Sequence, residues 1–206
     1  MRSGCSPAPT TTSAFPDISP GKLGDHRRAR SAYRRGVDEE LRAELLARCE
    51  EDQRIRTAAA RSAPGPDIPS PELLNELRSI DEANTLWLTE LTERLGWPGQ
   101  TLVGEDGAHA AWLLAQHADL GHQRKFLDLL RAAVEAGEAS TRDQAYQEDR
   151  VLVRDGQPQR YGTQFMYDQD ELKPQPIEDP EHLDQRRAAV GLGPFAEYEA
   201  LMRRRD

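Results

Sequence analysis

The 206-residue sequence has little of several features that mark well-known protein classes. It contains only two cysteines, Cys5 and Cys49, so a disulfide framework or a cysteine-based zinc site would lack ligands. No apolar run approaches the roughly 18 residues that a membrane-spanning helix needs. The chain also lacks a glycine-rich phosphate loop and a nucleophile elbow, so classical serine or cysteine hydrolase chemistry finds no support.

Charge is distributed unevenly along the chain. The formal net charge is −9, yet residues 1–36 carry seven Lys/Arg against two Asp/Glu, a balance of +5 that leaves −14 for the rest. An acidic body repels phosphate backbones, which argues against nucleic-acid binding except through that basic segment. At 37% apolar residues, the chain can still build a core.

The first 36 residues differ from the rest in composition. They are rich in proline and threonine and lack periodic apolar residues, so we predict a disordered basic tail, followed by a single helical domain over 37–206. Ser3–Ser6 resembles the processed start of a bacterial lipoprotein, but no apolar segment precedes Cys5. The expected location is cytoplasmic, unless the true start lies upstream of Cys5.

Apolar spacing predicts a mostly α multi-helix orthogonal bundle. We expect helices over about 38–60, from Ser70-Pro71 to Gly96, after Gly104–Gly107 to about 117, between Gly121 and Gly137, from 140 or 141 to about 153, over 179–190 and after Gly193. Thr141 and Gln144 match a capping box. The third helix is almost continuously apolar, as expected of a central one. Segments 159–167 and 172–177 predict a small β-hairpin.

The second helix carries an amide on its apolar face. Asn84 follows Leu77 and Ile80 at helical spacing and would face the core, with Asp81 beside it. Two interpretations stay open: a core asparagine bonded to backbone, or part of a buried polar site.

Gln116-His117-Ala118-Asp119 ends the third helix. Carbonyls are unpaired there and the helix dipole favours a cation, so His117 could act as an acid or base. Alternatively its ring bonds those last carbonyls while Asp119 caps the next helix. A metal site from His117, Asp119 and His122 would need the helix to end at once, and we predict no metal and no cofactor.

The second polar motif is Tyr161-Gly162-Thr163-Gln164 in the expected hairpin. Alternation would place Tyr161 and Thr163 on one face, with Arg160 and Gln164 on the other. Such a hairpin could cover a helical pocket, or its tyrosine could simply cover core.

These motifs resemble an uncharacterised bacterial, largely actinobacterial, family of unknown function. The resemblance covers about residues 72–203 and rests on Ile80-Asp81, Asn84, Trp87-Leu88, Gly96-Trp97-Pro98, Ala111–Asp119, Asp149-Arg150-Val151, Tyr161–Gln164, Pro176–Asp179 and Gly191-Leu192. It implies no activity. This chain departs from the pattern in its short turn at Leu120-Gly121-His122.

We therefore expect seven side chains to converge on one polar pocket, because buried amides and a histidine are costly unless they satisfy one another or a ligand. Within it, His117 and Tyr161 would be catalytic and the others would bind a small polar ligand: Asp81, Asn84, Gln116, Thr163 and Gln164. The alternative is a non-enzymatic module that binds a protein partner, in which the same residues form a structural hydrogen-bond network.

Overall fold

The computed structural model describes residues 36–63, 67–168 and 171–204. The expected disordered tail lies outside these residues. Their chain forms seven α-helices and one antiparallel hairpin, as predicted: α1 Glu39–Ser62, α2 Pro71–Leu95, α3 Gln100–His117, α4 Leu120–Glu135, α5 Thr141–Arg154, β1 Phe165–Asp168, β2 Glu171–Pro174, α6 Leu183–Ala189 and α7 Phe195–Arg204. No helix in the described ranges is both long and apolar enough to cross a membrane.

Side-chain caps set where several helices begin. Ser70 accepts a hydrogen bond from the Leu73 amide ahead of Pro71, as the Ser-Pro pair predicts. At α5 the cap is Ser140, which accepts from the amides of Arg142 and Asp143. The expected capping box at Thr141 is therefore wrong, because Thr141 is already the first helical residue.

Helix α3 begins earlier than its glycines suggested. It starts at Gln100 and contains a kink at Gly104, whose φ of 75° lies in the left-handed region that glycine adopts without a Cβ penalty. Gly104 therefore lies at a kink inside the helix and does not mark the start of the helix.

The core surrounds α3, which packs against α1, α2, α4 and α5. Its small buried side chains, Ala110, Ala111 and Ala115, let the neighbouring helices approach closely. The largest cluster adds fully or nearly fully buried side chains from four helices: Leu45, Leu88, Leu91, Leu114 and Phe126. The prediction of a central third helix is thus confirmed.

The hairpin is shorter than predicted. Its register pairs Phe165 with Pro174 and Asp168 with Glu171. Before it, Gln159 forms an isolated parallel bridge to Ile177, and 160–164 form a loop. The expected alternation of Tyr161 and Thr163 with Arg160 and Gln164 is therefore wrong. The helix expected from 179 begins as a 3₁₀ turn, Pro180–His182, before α6.

Candidate functional site

His117 ends α3, but its ring turns away from the helix carbonyls. Its Nδ1 lies 3.1 Å from an Asp52 carboxylate oxygen on α1. Asp52 is wholly buried because it shares one face of α1 with Leu45, Ile55 and Ala59. The expectation that the His117 ring bonds the last carbonyls is wrong; the other half of that interpretation, Asp119 as the cap of α4, is confirmed by its bond from the His122 amide.

Arg56 completes this cluster. Its Nε lies 3.1 Å from Oδ1 of Asp52 and 3.0 Å from Nδ1 of His117, and its Nη2 donates to Asp81 of α2. Asp52 also accepts from Gln53 Nε2 at 2.9 Å. Four side chains from three helices therefore meet, and we call Asp52, Arg56, Asp81 and His117 the α1–α3 cluster.

The two contacts at Nδ1 of His117 imply different tautomers. If Arg56 Nε–H donates to Nδ1, the ring proton lies on Nε2; if Nδ1–H donates to Asp52, Nε2 carries the lone pair. In both states Nε2 has no hydrogen-bond partner within the described part of the chain. This nitrogen is therefore available to a ligand.

The two carboxylates of the cluster have pKa values that move in opposite directions. Burial alone raises the pKa of Asp52, but hydrogen bonding and charge from His117 and Arg56 outweigh it, so the pKa lies below its ordinary value. For Asp81, burial outweighs attraction to Arg56 and His117, so the pKa lies above its ordinary value. Opposite shifts in one site are typical of acid–base pairs, although ion-pair networks also produce them.

The cluster also contains donor atoms at metal-binding separation. One ligand atom from each of Asp52, Asp81 and His117 lies within 4.8 Å of the others, and the N/O set suits a divalent cation. Arg56 donates toward all three, so its guanidinium already supplies the positive charge that they share. A metal ion would have to displace it. The His117, Asp119 and His122 set that the sequence suggested does not form, because Asp119 pairs with His122 while His117 faces Asp52.

A groove of about 610 Å³ lies over the cluster. Its α2 wall combines three leucines, Leu74, Leu77 and Leu86, with polar residues that include Asp81, and its opposite wall includes His117 and Arg154. We call it the His117 groove. It offers a ligand both apolar contact and the free Nε2.

A larger cavity of about 760 Å³ lies elsewhere, beside His109, Asp143 and Trp112. His109 Nδ1 lies 3.1 Å from Asp143, and this hydrogen bond raises the pKa of His109. The His109 side chain is 53% exposed, against 15% for His117, so solvent screens this pair more strongly. The aspartate–histidine pair of the smaller groove is therefore less screened by solvent than the pair beside the larger cavity.

Tyr161, Thr163 and Gln164 belong to a second group around Asp149 of α5. Asp149 is wholly buried and accepts from the backbone amides of Arg160, Tyr161 and Thr163 at 2.7–3.2 Å and from the Thr163 hydroxyl at 2.9 Å. The Gln164 side chain donates to that hydroxyl. We call this the Asp149 loop, and its hydrogen bonds are what a structural network requires.

The seven expected site residues therefore fall into separate groups. Asp81 and His117 share a cluster, whereas none of Tyr161, Thr163 and Gln164 lines the His117 groove. Tyr161 instead packs with Ala145 and Leu192. The physical reason is that the polar groups of Tyr161 and Thr163 are satisfied by Asp149, whereas Asp81 and His117 are satisfied by Arg56 and Asp52.

The two amide side chains expected in the site, Asn84 and Gln116, each accept a hydrogen bond from an arginine. Asn84 is buried, as its spacing indicated, and its Oδ1 accepts from Arg48 at 3.2 Å. Gln116 is also buried, and its Oε1 accepts from Arg150 Nε at 3.2 Å. Each amide oxygen therefore accepts a hydrogen bond from an arginine side chain on another helix.

Sequence reasoning missed Asp52, Arg56 and Arg150. Asp52 lies three residues from both Cys49 and Ile55 on the apolar face of α1, and that position could have identified it. Arg150 and Arg154 share a face of α5, one turn apart.

Comparisons with curated proteins and with solved structures found no match. A family model described as "Family of unknown function (DUF6624)" matches residues 39–205. The match spans α1 to α7, and the chain therefore belongs to this family of unknown function.

Proposed function

We propose that the His117 groove binds a small polar ligand and that His117 acts on it as a general acid or base. One observation carries the proposal: a wholly buried carboxylate lies 3.1 Å from Nδ1 of His117, while Nε2 has no protein partner among the described residues. A buried aspartate on one imidazole nitrogen orients the ring and stabilises its cation, which leaves the other nitrogen for chemistry.

Asp81 is the second titratable group of this site. It lines the groove, and burial raises the pKa of its carboxyl group despite the charge of Arg56. In the proposed function, Asp52 remains ionised and holds His117, whereas Asp81 contacts the ligand. Gln116 contributes indirectly, by holding Arg150 at the end of α3, whereas Asn84 bonds Arg48, which does not line the groove.

The leucines of the α2 wall also support a second candidate function, a protein-interaction module. Leu86 is 63% exposed and borders the groove beside Leu74, so a partner could cover them. The Asp149 loop, including Tyr161, would then be structural, as its hydrogen bonds already suggest.

Substitution of His117 by Gln separates the two candidates. A panel of small polar metabolites would be screened by thermal shift, and bound compounds would be tested for turnover by mass spectrometry. In the acid–base function, His117→Gln abolishes turnover while the protein stays folded and retains ligand-induced stabilisation. The matched control is His109→Gln, which removes the other aspartate-paired histidine and should leave turnover unchanged.

Two results would contradict the proposal. One is that His117→Gln turns over the ligand as fast as the wild type. The other is that no compound stabilises the wild type while His117→Gln lowers the melting temperature by several degrees, which is the behaviour of a purely structural histidine.

A further inference from the structure

Helix α5 presents two arginines, one turn apart, to the residues on either side of His117. Arg150 Nε donates to the side chain of Gln116 at 3.2 Å, and Arg154 Nη1 donates to the carbonyl of Ala118 at 3.0 Å. Both guanidinium groups are therefore held at the end of α3, where the helix dipole favours positive charge.

These two cations lack acidic partners. Within the described part of the chain neither forms an ion pair, and their hydrogen bonds go to an amide and a carbonyl. Arg56, by contrast, contacts two carboxylates. Arg150 is half-buried, and burial, followed by repulsion from Arg154 and Arg56, lowers its pKa. A partly buried cation beside like charges is costly unless an anion compensates it.

The acidic side chains of the groove do not supply that anion. Asp81 pairs with Arg56 and Asp119 pairs with His122. Among the described residues that line the groove, Arg78 and Arg154 form no ion pair, and neither does the carboxylate of Glu82. At the end of α3, Arg154 and its neighbour on α5, Arg150, which does not itself line the groove, therefore keep positive charges that no carboxylate of the described residues contacts.

We propose that Arg150 and Arg154 form a subsite for a phosphate group on the ligand of the His117 groove. A phosphate carries nearly two negative charges at neutral pH and several acceptor oxygens, so it matches two guanidinium groups, whereas a carboxylate carries one charge. The location rests on the proposed function, because the subsite would hold the phosphorylated end of the ligand beside Nε2 of His117. The rest of such a ligand would face the leucines of α2.

Inorganic phosphate is the probe, titrated by calorimetry at low ionic strength into the wild type and Arg154→Gln. Arg154 is exposed, so its loss should leave the fold intact. We expect saturable binding to the wild type, with a dissociation constant that rises about tenfold in Arg154→Gln, since one charge-assisted hydrogen bond is lost. Arg150→Gln should weaken binding similarly; where it unfolds, Arg150→Lys, which keeps the charge but not the paired donors, replaces it.

The matched control is Arg94→Gln, which removes one exposed charge from α2 at a residue outside the groove lining. It should bind phosphate as the wild type does. The proposal is overturned by absence of saturable binding, by equal weakening in Arg94→Gln and Arg154→Gln, or by acetate binding as tightly as phosphate.

His117→Gln distinguishes this subsite from the acid–base proposal. It should bind phosphate with an affinity comparable to the wild type, because the arginines remain. Phosphate binding together with unchanged turnover in His117→Gln would refute only the acid–base role. Loss of turnover in that variant without any phosphate binding by the wild type would refute only the subsite.

Discussion

Asp149 offers the sharpest test of how the loop after α5 is held. Its Oδ1 accepts from the amides of Arg160 at 2.7 Å and Tyr161 at 3.0 Å, and its Oδ2 accepts from the amide and hydroxyl of Thr163 at 3.0 and 2.9 Å. Three backbone amides within residues 160–163 thus depend on one wholly buried carboxylate. Replacement by Asn or Leu removes these acceptors in steps.

The two variants leave different numbers of backbone donors without an acceptor. In Asp149→Asn, the amide oxygen can replace Oδ1, and the Thr163 hydroxyl can rotate to accept from the new NH₂, so the Thr163 amide alone loses its acceptor. That costs about 1–3 kcal/mol. In Asp149→Leu, three buried amides lose theirs, so we expect a loss of about 4 kcal/mol or more.

Urea unfolding, followed by far-UV circular dichroism, measures both free energies of unfolding. Asp128→Asn on the exposed face of α4 is the control, because that side chain is 78% exposed and should change stability by less than about 0.5 kcal/mol. If Asp149→Leu unfolds within about 1 kcal/mol of the wild type, the loop amides find other acceptors, and the argument for Asp149 as their organiser is wrong.

Two further predictions concern acid stability and backbone conformation. Although burial raises it, bonding to His117 holds the pKa of Asp52 below its ordinary value, so this group contributes stability above its unfolded pKa that is lost as pH falls through the folded pKa. Melting temperatures at falling pH should therefore drop less steeply in Asp52→Asn than in the wild type; parallel curves would contradict this. Gly162→Ala should cost about 2–4 kcal/mol, because φ is 67° and a Cβ would lie 2.8 Å from Phe195, whereas Gly156→Ala, at φ 72° with nothing near, should cost about 1 kcal/mol. Equal losses in urea unfolding of the two alanine variants would show that the contact with the Phe195 ring is not tight.

Much of the helical fold was predictable because its signals are local. Ser70-Pro71 marks the start of α2 within two residues, and the apolar run of α3 marks a helix that is covered on most sides. The hairpin was harder to bound. Residues 160–164 have the composition of a strand, but the amides of Arg160, Tyr161 and Thr163 donate to Asp149, and no local pattern in the sequence indicates this acceptor.

The candidate site shows a different limit. Asp52 and Arg56 are spaced four residues apart, which predicts an ion pair, and they do pair at 3.1 Å. Ion pairs at this spacing usually lie on a solvent-exposed helix face, yet Asp52 is wholly buried. The i,i+4 spacing is the same on either face of a helix, so only the position of Asp52 relative to Cys49 and Ile55 shows that it points into the core. Its partner His117 is 65 residues away in the sequence, too far for a local pattern to predict the contact.

The surroundings of two buried aspartates explain why we propose a functional role for Asp52 and a structural role for Asp149. Asp149 accepts mainly from backbone amides, which cannot change protonation, and burial raises its pKa despite those bonds. Asp52 accepts from the side chains of His117 and Arg56, and although burial raises its pKa, these contacts hold that pKa below its ordinary value. A site that must exchange protons with a ligand needs the second kind of environment, together with an opening to solvent. Of the two, Asp52 is the one whose partner, His117, lines a groove.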